Sequence, residues 1–238
     1  MKIKQSTPYA PLLIESMRSL GYSFDTAIAD LIDNSVSAEA KNIQILLDPS
    51  DNPQLIIFDD GHGMDALTLE EALRFGSRGP KEERSQHDLG RFGLGLKSAS
   101  LSQCRKLIVA SKYNDKICCF SWDIDEVVRT NDWSIIEYSA EEISSLPSVD
   151  LFDSVESGTY VLLKDFDRIS ATSSDVSNTI IKSLESTEGH LSLVFHRIMS
   201  EDGLVISING RAIEPKDPFL ENHKSTQRLR EQEIMIDG

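Results

Sequence analysis

Asp59-Asp60-Gly61-His62-Gly63-Met64 follows directly on the largely apolar run Gln54-Leu55-Ile56-Ile57-Phe58. A short apolar run bounded by proline and glycine reads as a buried strand. Its end would deliver the Asp59 carboxylate, and Gly61 and Gly63 would let the backbone turn sharply and come close to a ligand. A carboxylate accepts hydrogen bonds only. Set against bare backbone, it suits the adenine edge, whose exocyclic amine is a donor. An acidic-glycine turn is also an ordinary way to end a strand, so the chemistry depends on what else the chain brings to it.

Upstream, Asp25 to Ala38 has helical periodicity, with Ile28, Ile32 and Val36 on one face and Leu31 at its edge. At about 100° per residue, Asp30, Asn34 and Ser37 share the opposite side, with Asp33 at its margin. Asparagine and aspartate are poor helix formers, so several in mid-helix need a reason. A carboxylate and an amide oxygen one turn apart could hold a water and a magnesium ion, which prefers oxygen ligands and keeps waters.

Downstream, Gly90-Arg91-Phe92-Gly93-Leu94-Gly95-Leu96-Lys97-Ser98 opens another helical stretch with Gly-x-x-Gly-x-Gly spacing. Backbone N–H groups at a helix start, with the dipole behind them, bind phosphate. The spacing is neither that of a P-loop nor that of a Rossmann fingerprint.

Taken in order, Asp30 and Asn34 on a helix, then Asp59-x-Gly61-x-Gly63, then Gly90-x-x-Gly93-x-Gly95, the chain resembles the GHKL ATPase superfamily of gyrase-type topoisomerases, ninety-kilodalton heat-shock chaperones, histidine kinases and MutL. Ser157-Gly158-Thr159-Tyr160-Val161-Leu162-Leu163 is similar to the later Gly-Thr strand beside the adenine pocket of that superfamily. Leu-Ile-Asp-Asn-Ser, Asp-Asp-Gly-His-Gly-Met and Gly-Leu-Gly-Leu-Lys-Ser look most like the MORC ATPases and their bacterial relatives. The resemblance implies ATP and magnesium as ligands. Asp59 would accept the adenine amine, with Gly61, Gly63 and Met64 around it, and Thr159 would reach adenine through a shared water. Asn34 would ligate magnesium. Gly90, Gly93, Leu94, Gly95 and Lys97 would meet the phosphates, with Ser98 adding a hydroxyl. Asp30 stands where these ATPases usually carry the glutamate that activates water. Aspartate is one methylene shorter, so its carboxylate lies roughly 1 Å further back, and general-base geometry is sensitive on that scale. Slow turnover is therefore expected. Asp33 is a poorer substitute, being rotated about 100° from Asn34.

A net charge of -15 over 238 residues argues against general attraction to nucleic acid through this segment. The first residues, Met-Lys-Ile-Lys-Gln-Ser-Thr, lack the apolar core of a signal peptide, and no apolar run is long enough for a membrane span. Cys104, Cys118 and Cys119 have no metal-ligand spacing and read as reduced thiols, which with the rest points to the cytoplasm. From Gly76 to Lys97, five basic residues stand against three acidic ones in a polar, turn-rich stretch. In the GHKL reading this is a lid over ATP.

The elements that must position these groups are helices near Tyr9–Leu20, Asp25–Ala38, Asp65–Phe75, Gly93–Leu101 and Asp175–Met199. Strands are expected near Ile43–Leu47, Leu55–Phe58, Lys106–Ser111, Ile117–Asp123, Trp133–Tyr138, Thr159–Leu163, Leu204–Gly210 and Glu233–Ile236. Irregular alternation predicts an α+β fold, a mixed, largely antiparallel sheet backed by helices, the Bergerat-type ATP-binding fold in the GHKL reading. Residues 1–210 would form this domain. Residues 211–238 would begin a following, transducer-like one, because Glu233–Ile236 and the Asp237-Gly238 turn lack a returning strand. ATP binding would then close the lid and drive homodimerisation through downstream domains, with DNA a possible partner of the longer protein and no membrane partner. Two alternatives stand beside an ATPase. One is a non-catalytic ATP-binding module, with aspartate at position 30 marking lost hydrolysis. The other is a protein histidine kinase, which would need a phosphoacceptor histidine ahead of the ATP site, whereas all five histidines follow Asn34.

Overall fold

A computed structural model describes residues 8–19, 21–75, 95–173, 175–221 and 223–227. Gly90, Gly93, Leu94, most of the expected lid and the expected strand at Glu233–Ile236 lie outside them.

Helices α1 (Ala10–Arg18) and α2 (Phe24–Ser37) precede the hairpin of β1 (Asn42–Asp48) and β2 (Gln54–Asp59). Then come α3 (Ala66–Leu73), α4 (Gly95–Gln103), β3 (Lys106–Tyr113), β4 (Lys116–Asp123), α5 (Ile124–Thr130), β5 (Ile136–Glu137), α6 (Ala140–Ser144) and a 3₁₀ turn over Val149–Ser154. The chain continues through β6 (Gly158–Lys164), α7 (Asp167–Ser170), α8 (Val176–Val194), α9 (His196–Glu201), β7 (Val205–Ile208) and β8 (Arg211–Ala212). The strands make one sheet in the order β5-β4-β3-β6-β2-β1-β7-β8. Every pairing is antiparallel except β1 with β7. The fold is α+β, as the irregular alternation predicts.

Both faces of the central strands are covered, which explains why β2 and β6 read as continuous apolar runs. Leu55, Ile57, Leu107, Val109, Val161 and Leu163 join Ile28, Ile32, Ile180 and Leu184 in the helix-side core. Ile56, Phe58, Ile108, Tyr160 and Leu162 pack on the other side against Ile143 and Phe152, from α6 and the 3₁₀ turn. That second layer is absent from the sequence-based expectation, because the segment from Ser139 to Ser154 is polar and its elements are short. α6 is held locally by a capping box between Ser139 and Glu142.

Helix α2 starts cleanly, with Ser23 accepting the Thr26 N–H at 3.3 Å. It buries Ala27, Ile28, Leu31, Ile32 and Ser35. Buried Arg18 secures α4: its Nε donates to the Leu101 carbonyl at 2.6 Å, and its guanidinium pairs with Asp167. Two expectations change. The long helix expected to Met199 breaks at Phe195, which ends α8 and begins α9. Its buried stripe Leu184, Leu191, Phe195, Met199 runs through the break, so periodicity cannot show it. The strand expected over Trp133–Tyr138 shrinks to Ile136–Glu137, because Trp133 packs its ring against Phe75 and Trp122.

Candidate functional site

Three neighbouring strands place three polar residues in a row. Asp59 pairs with Thr159 across β2 and β6, and Thr159 with Ser111 across β6 and β3. Directly opposed residues share a face of the sheet, here the one that α2 covers. Asp59 is buried, and its carboxylate is well supplied with donors. Oδ1 accepts the Gly61 N–H at 3.0 Å and the Thr159 N–H at 3.2 Å, while Oδ2 accepts the Ser35 hydroxyl at 2.7 Å. Burial pushes the Asp59 carboxyl above the ordinary range, and the bonds from Ser35, Gly61 and Thr159 oppose it. Two lone pairs on each oxygen leave one open acceptor position, on Oδ2.

The glycines expected to admit a ligand are required by the packing. Gly63 has φ +67°, and a Cβ there would lie 2.0 Å from the Lys112 carbonyl oxygen. At Gly61 a Cβ would come within 2.8 Å of Ala38, and at Gly158 within 2.2 Å of the Asp59 carbonyl oxygen. The turn is fastened by the Ala38 carbonyl, which accepts the His62 N–H at 3.0 Å, and by Ser157 Oγ, which donates to the Gly61 carbonyl at 2.7 Å. Met64 is half-buried, and its N–H donates to Ser111 Oγ at 2.8 Å.

On α2, Asp30 is half-buried and Asn34 exposed. Asn34 Nδ2 donates to the Asp30 carbonyl at 2.9 Å, so the amide is oriented with its oxygen away from that bond. Burial first and the neighbouring Asp30 carboxylate second push the titration of the Tyr22 phenol up. Asp33 is pushed up to about 6, chiefly by burial and then by the negative charge of Asp30. Gln103 Nε2 donates to the Tyr22 carbonyl at 3.1 Å, tying the start of α2 to the end of α4.

Gly95 begins α4, and Lys97 and Ser98 are buried in its first turn. The first N–H groups of a helix have no partner within it, so the start of α4 offers backbone donors. The Lys97 ammonium takes a different course. It donates to the Ala72 carbonyl at 2.6 Å and the Arg74 carbonyl at 2.9 Å, capping the end of α3, and lies 5.6 Å from the centre of the Phe75 ring. Burial pushes it down to about 8. Any phosphate contact from Lys97 therefore falls to its backbone N–H.

Asp59, Gly61, Gly63, Met64 and Thr159 thus lie together, and Ser35 joins them to α2, the helix that carries Asp30 and Asn34. Ser35 and Ser111 are the supporting residues that the motif reading did not assign. Each nevertheless carries a sequence signal. Ser35 sits on the apolar stripe of α2 with Ile28, Leu31 and Ile32, and Ser111 follows Leu107 and Val109 on the inward positions of β3. A hydroxyl at a core position implies a buried partner.

A family model described as histidine kinase-, DNA gyrase B-, and HSP90-like ATPase matches residues 22–159, more than half of the chain. Among curated proteins, human ATPase MORC2 is 31% identical over 97 residues, which is 39% of this chain and 9% of MORC2. ATPase morc-1 of Caenorhabditis elegans is 34% identical over 88 residues, 37% of this chain and 10% of that protein. Protein MICRORCHIDIA 6 of Arabidopsis thaliana is 32% identical over 95 residues, 37% of this chain and 14% of that protein. The similarity spans a small fraction of each relative's length.

Proposed function

Since the chain belongs to the histidine kinase-, DNA gyrase B- and HSP90-like ATPase family, we propose that it binds ATP with magnesium at this site and hydrolyses it slowly. The carrying observation is the Asp59 carboxylate, buried, held by three donors and left with one open acceptor position beside glycines that tolerate no Cβ. An exocyclic amine fills that position. Thr159 takes part through a shared water, and Met64 borders the base. The phosphates go to the backbone at the start of α4, to Gly90, Gly93, Leu94, Gly95 and Lys97, with the Ser98 hydroxyl beside them.

Asn34 fits a magnesium ligand, because its amide nitrogen is committed to its own helix and its oxygen is turned away. Among the described residues no cluster of three or more His, Cys, Asp or Glu forms a metal site, so Asn34 supplies one oxygen, and phosphate and water oxygens complete the shell. Magnesium, when bound, neutralises charge on the phosphate oxygens. Asp30, one turn before Asn34, takes the proton of the attacking water while the bond to the terminal phosphoryl group breaks, releasing ADP and phosphate. Its short side chain and the neighbouring Tyr22 phenol support a low rate.

The non-catalytic module is the second reading, favoured by aspartate at position 30. In it, ATP stabilises the fold by mass action without turnover. Prolonged incubation of purified protein with magnesium-ATP separates the two. ADP formed above a buffer control, and suppressed by chelator, supports hydrolysis, whereas calorimetric binding without ADP supports the module.

Beyond the site, we propose that ATP closes the polar stretch beginning at Gly76 as a lid, that two copies then associate, and that any DNA contact is made outside this acidic domain. The sheet continues past residue 210, because Arg211–Ala212 pairs with β7. Among the described residues no helix is long and apolar enough to cross a membrane. Free Cys104, Cys118 and Cys119 suit a reducing cytoplasm.

A further inference from the structure

The hydroxyl of Ser111 is fully buried and meets three partners. It lies 2.8 Å from the Met64 N–H nitrogen, 2.9 Å from the Gly158 carbonyl oxygen and 3.3 Å from Thr159 Oγ1. A hydroxyl has one proton and two lone pairs. An N–H can only donate and a carbonyl can only accept, so the Ser111 proton goes to Gly158 and one lone pair goes to Met64. The remaining lone pair can make the third bond only if Thr159 donates to it. Buried hydroxyls satisfy their bonds, and this arrangement satisfies all three.

Thr159 is therefore left with lone pairs alone for the pocket. Asp59 beside it is likewise an acceptor, with its one open position on Oδ2. We propose that Ser111 is a positioning residue for base selection: by taking the Thr159 proton it makes the base end of the pocket an all-acceptor edge. This rests on the nucleotide reading above. An exocyclic amine, or a water turned to donate, satisfies such an edge. A carbonyl at the amine position meets acceptors on both sides and has no hydroxyl proton to take. Without Ser111, the Thr159 hydroxyl is free to rotate and donate to that carbonyl, and the pocket loses discrimination.

The test compares ATP with inosine triphosphate, which sets a carbonyl where ATP has the amine and an N1–H where ATP has a lone pair, the carbonyl being the group that meets Asp59. Affinities are measured by calorimetry with magnesium for wild type, Ser111→Ala, Thr159→Val and the double variant. Wild type should prefer ATP by about tenfold or more, the equivalent of one unsatisfied buried acceptor. Ser111→Ala should cut that ratio by about threefold or more, and should change it no further in the Thr159→Val background. If Ser111→Ala fails to fold, Ser111→Cys, of similar volume but a poor acceptor, is read the same way. A ratio unmoved by Ser111→Ala, or moved equally with and without the Thr159 hydroxyl, would overturn the relay, leaving a merely structural serine. Wild type that binds neither nucleotide overturns the nucleotide reading itself, a distinct result.

Discussion

Asp59→Asn separates recognition of a base from the ending of a strand, and the structure dictates how the amide must sit. Oδ1 already accepts two backbone N–H groups, from Gly61 and Thr159. An amide nitrogen at that place would face two donors, so the asparagine oxygen occupies it and the NH2 takes the place of Oδ2. There it points a donor at the incoming amine and at Ser35, whose hydroxyl can turn to accept. ATP loses a bond to a charged group and meets an opposed donor, together about 3 kcal/mol, or roughly a hundredfold in affinity. GTP carries a carbonyl at that ring position, so the same substitution turns an acceptor clash into a bond. The ATP preference of the wild type, about tenfold or more, should shrink to near unity or invert. The fold should persist. Burial already holds the Asp59 carboxyl above its ordinary range despite three bonds, and a neutral amide avoids that cost. The melting temperature should stay within about 4 °C, the equivalent of roughly 1 kcal/mol for a chain of this size. Calorimetric titration of both nucleotides with magnesium, beside a thermal melt, decides the matter. Unchanged ATP affinity in a folded mutant, or equal ATP and GTP affinity in the wild type, would refute the adenine assignment.

Further outcomes follow from the same contacts. Ser35→Ala removes a bond that holds the Asp59 carboxyl down. Protonation of that acceptor weakens ATP binding as pH falls, so the rise in Kd should begin at higher pH than in wild type, read from a pH series of titrations. Gly63→Ala forces a Cβ to 2.0 Å from the Lys112 carbonyl at φ +67°. It should cost about 3 kcal/mol or more in urea unfolding, and an unaltered midpoint would contradict the close approach. Lys97 is held down to about 8 from 10.5 by burial. Between those pH values the unfolded chain binds more protons, so stability rises with pH across the window, by at most about 3 kcal/mol. Lys97→Met should flatten that rise in denaturant titrations at pH 8 to 10.5.

The candidate site was legible in outline because its residues sit in short motifs at strand ends and helix starts. Asp59 closes an apolar run, and the glycines after it must be glycines, since the backbones of Lys112 and Asp59 lie where side chains would go. The helical spacing of Asp30 and Asn34 placed them one turn apart, and the Asn34 bond to the Asp30 carbonyl reflects that geometry. Residues acting through the tertiary fold were harder to read. Nothing local says that Ser35 and Ser111 meet Asp59 and Thr159, because the strand order that brings β3, β6 and β2 together is not a sequence pattern. The ammonium of Lys97 was unreadable for the same reason: a lysine after a glycine loop suggests phosphate, while here it donates to carbonyls at the end of α3, which lies earlier in the chain. The layer under the sheet escaped notice because α6 and the 3₁₀ turn are too short to show periodicity. Phe195 hid its break because the apolar stripe crosses it in phase.

The central claim, an ATP site with Asp30 as its base, is tested most directly by ADP formation under saturating magnesium-ATP, comparing wild type with Asp30→Ala, with ATP affinity measured on both. Slow ADP release by wild type, abolished in Asp30→Ala while ATP still binds, is the predicted result. Equal rates of ADP release from the two proteins would contradict it.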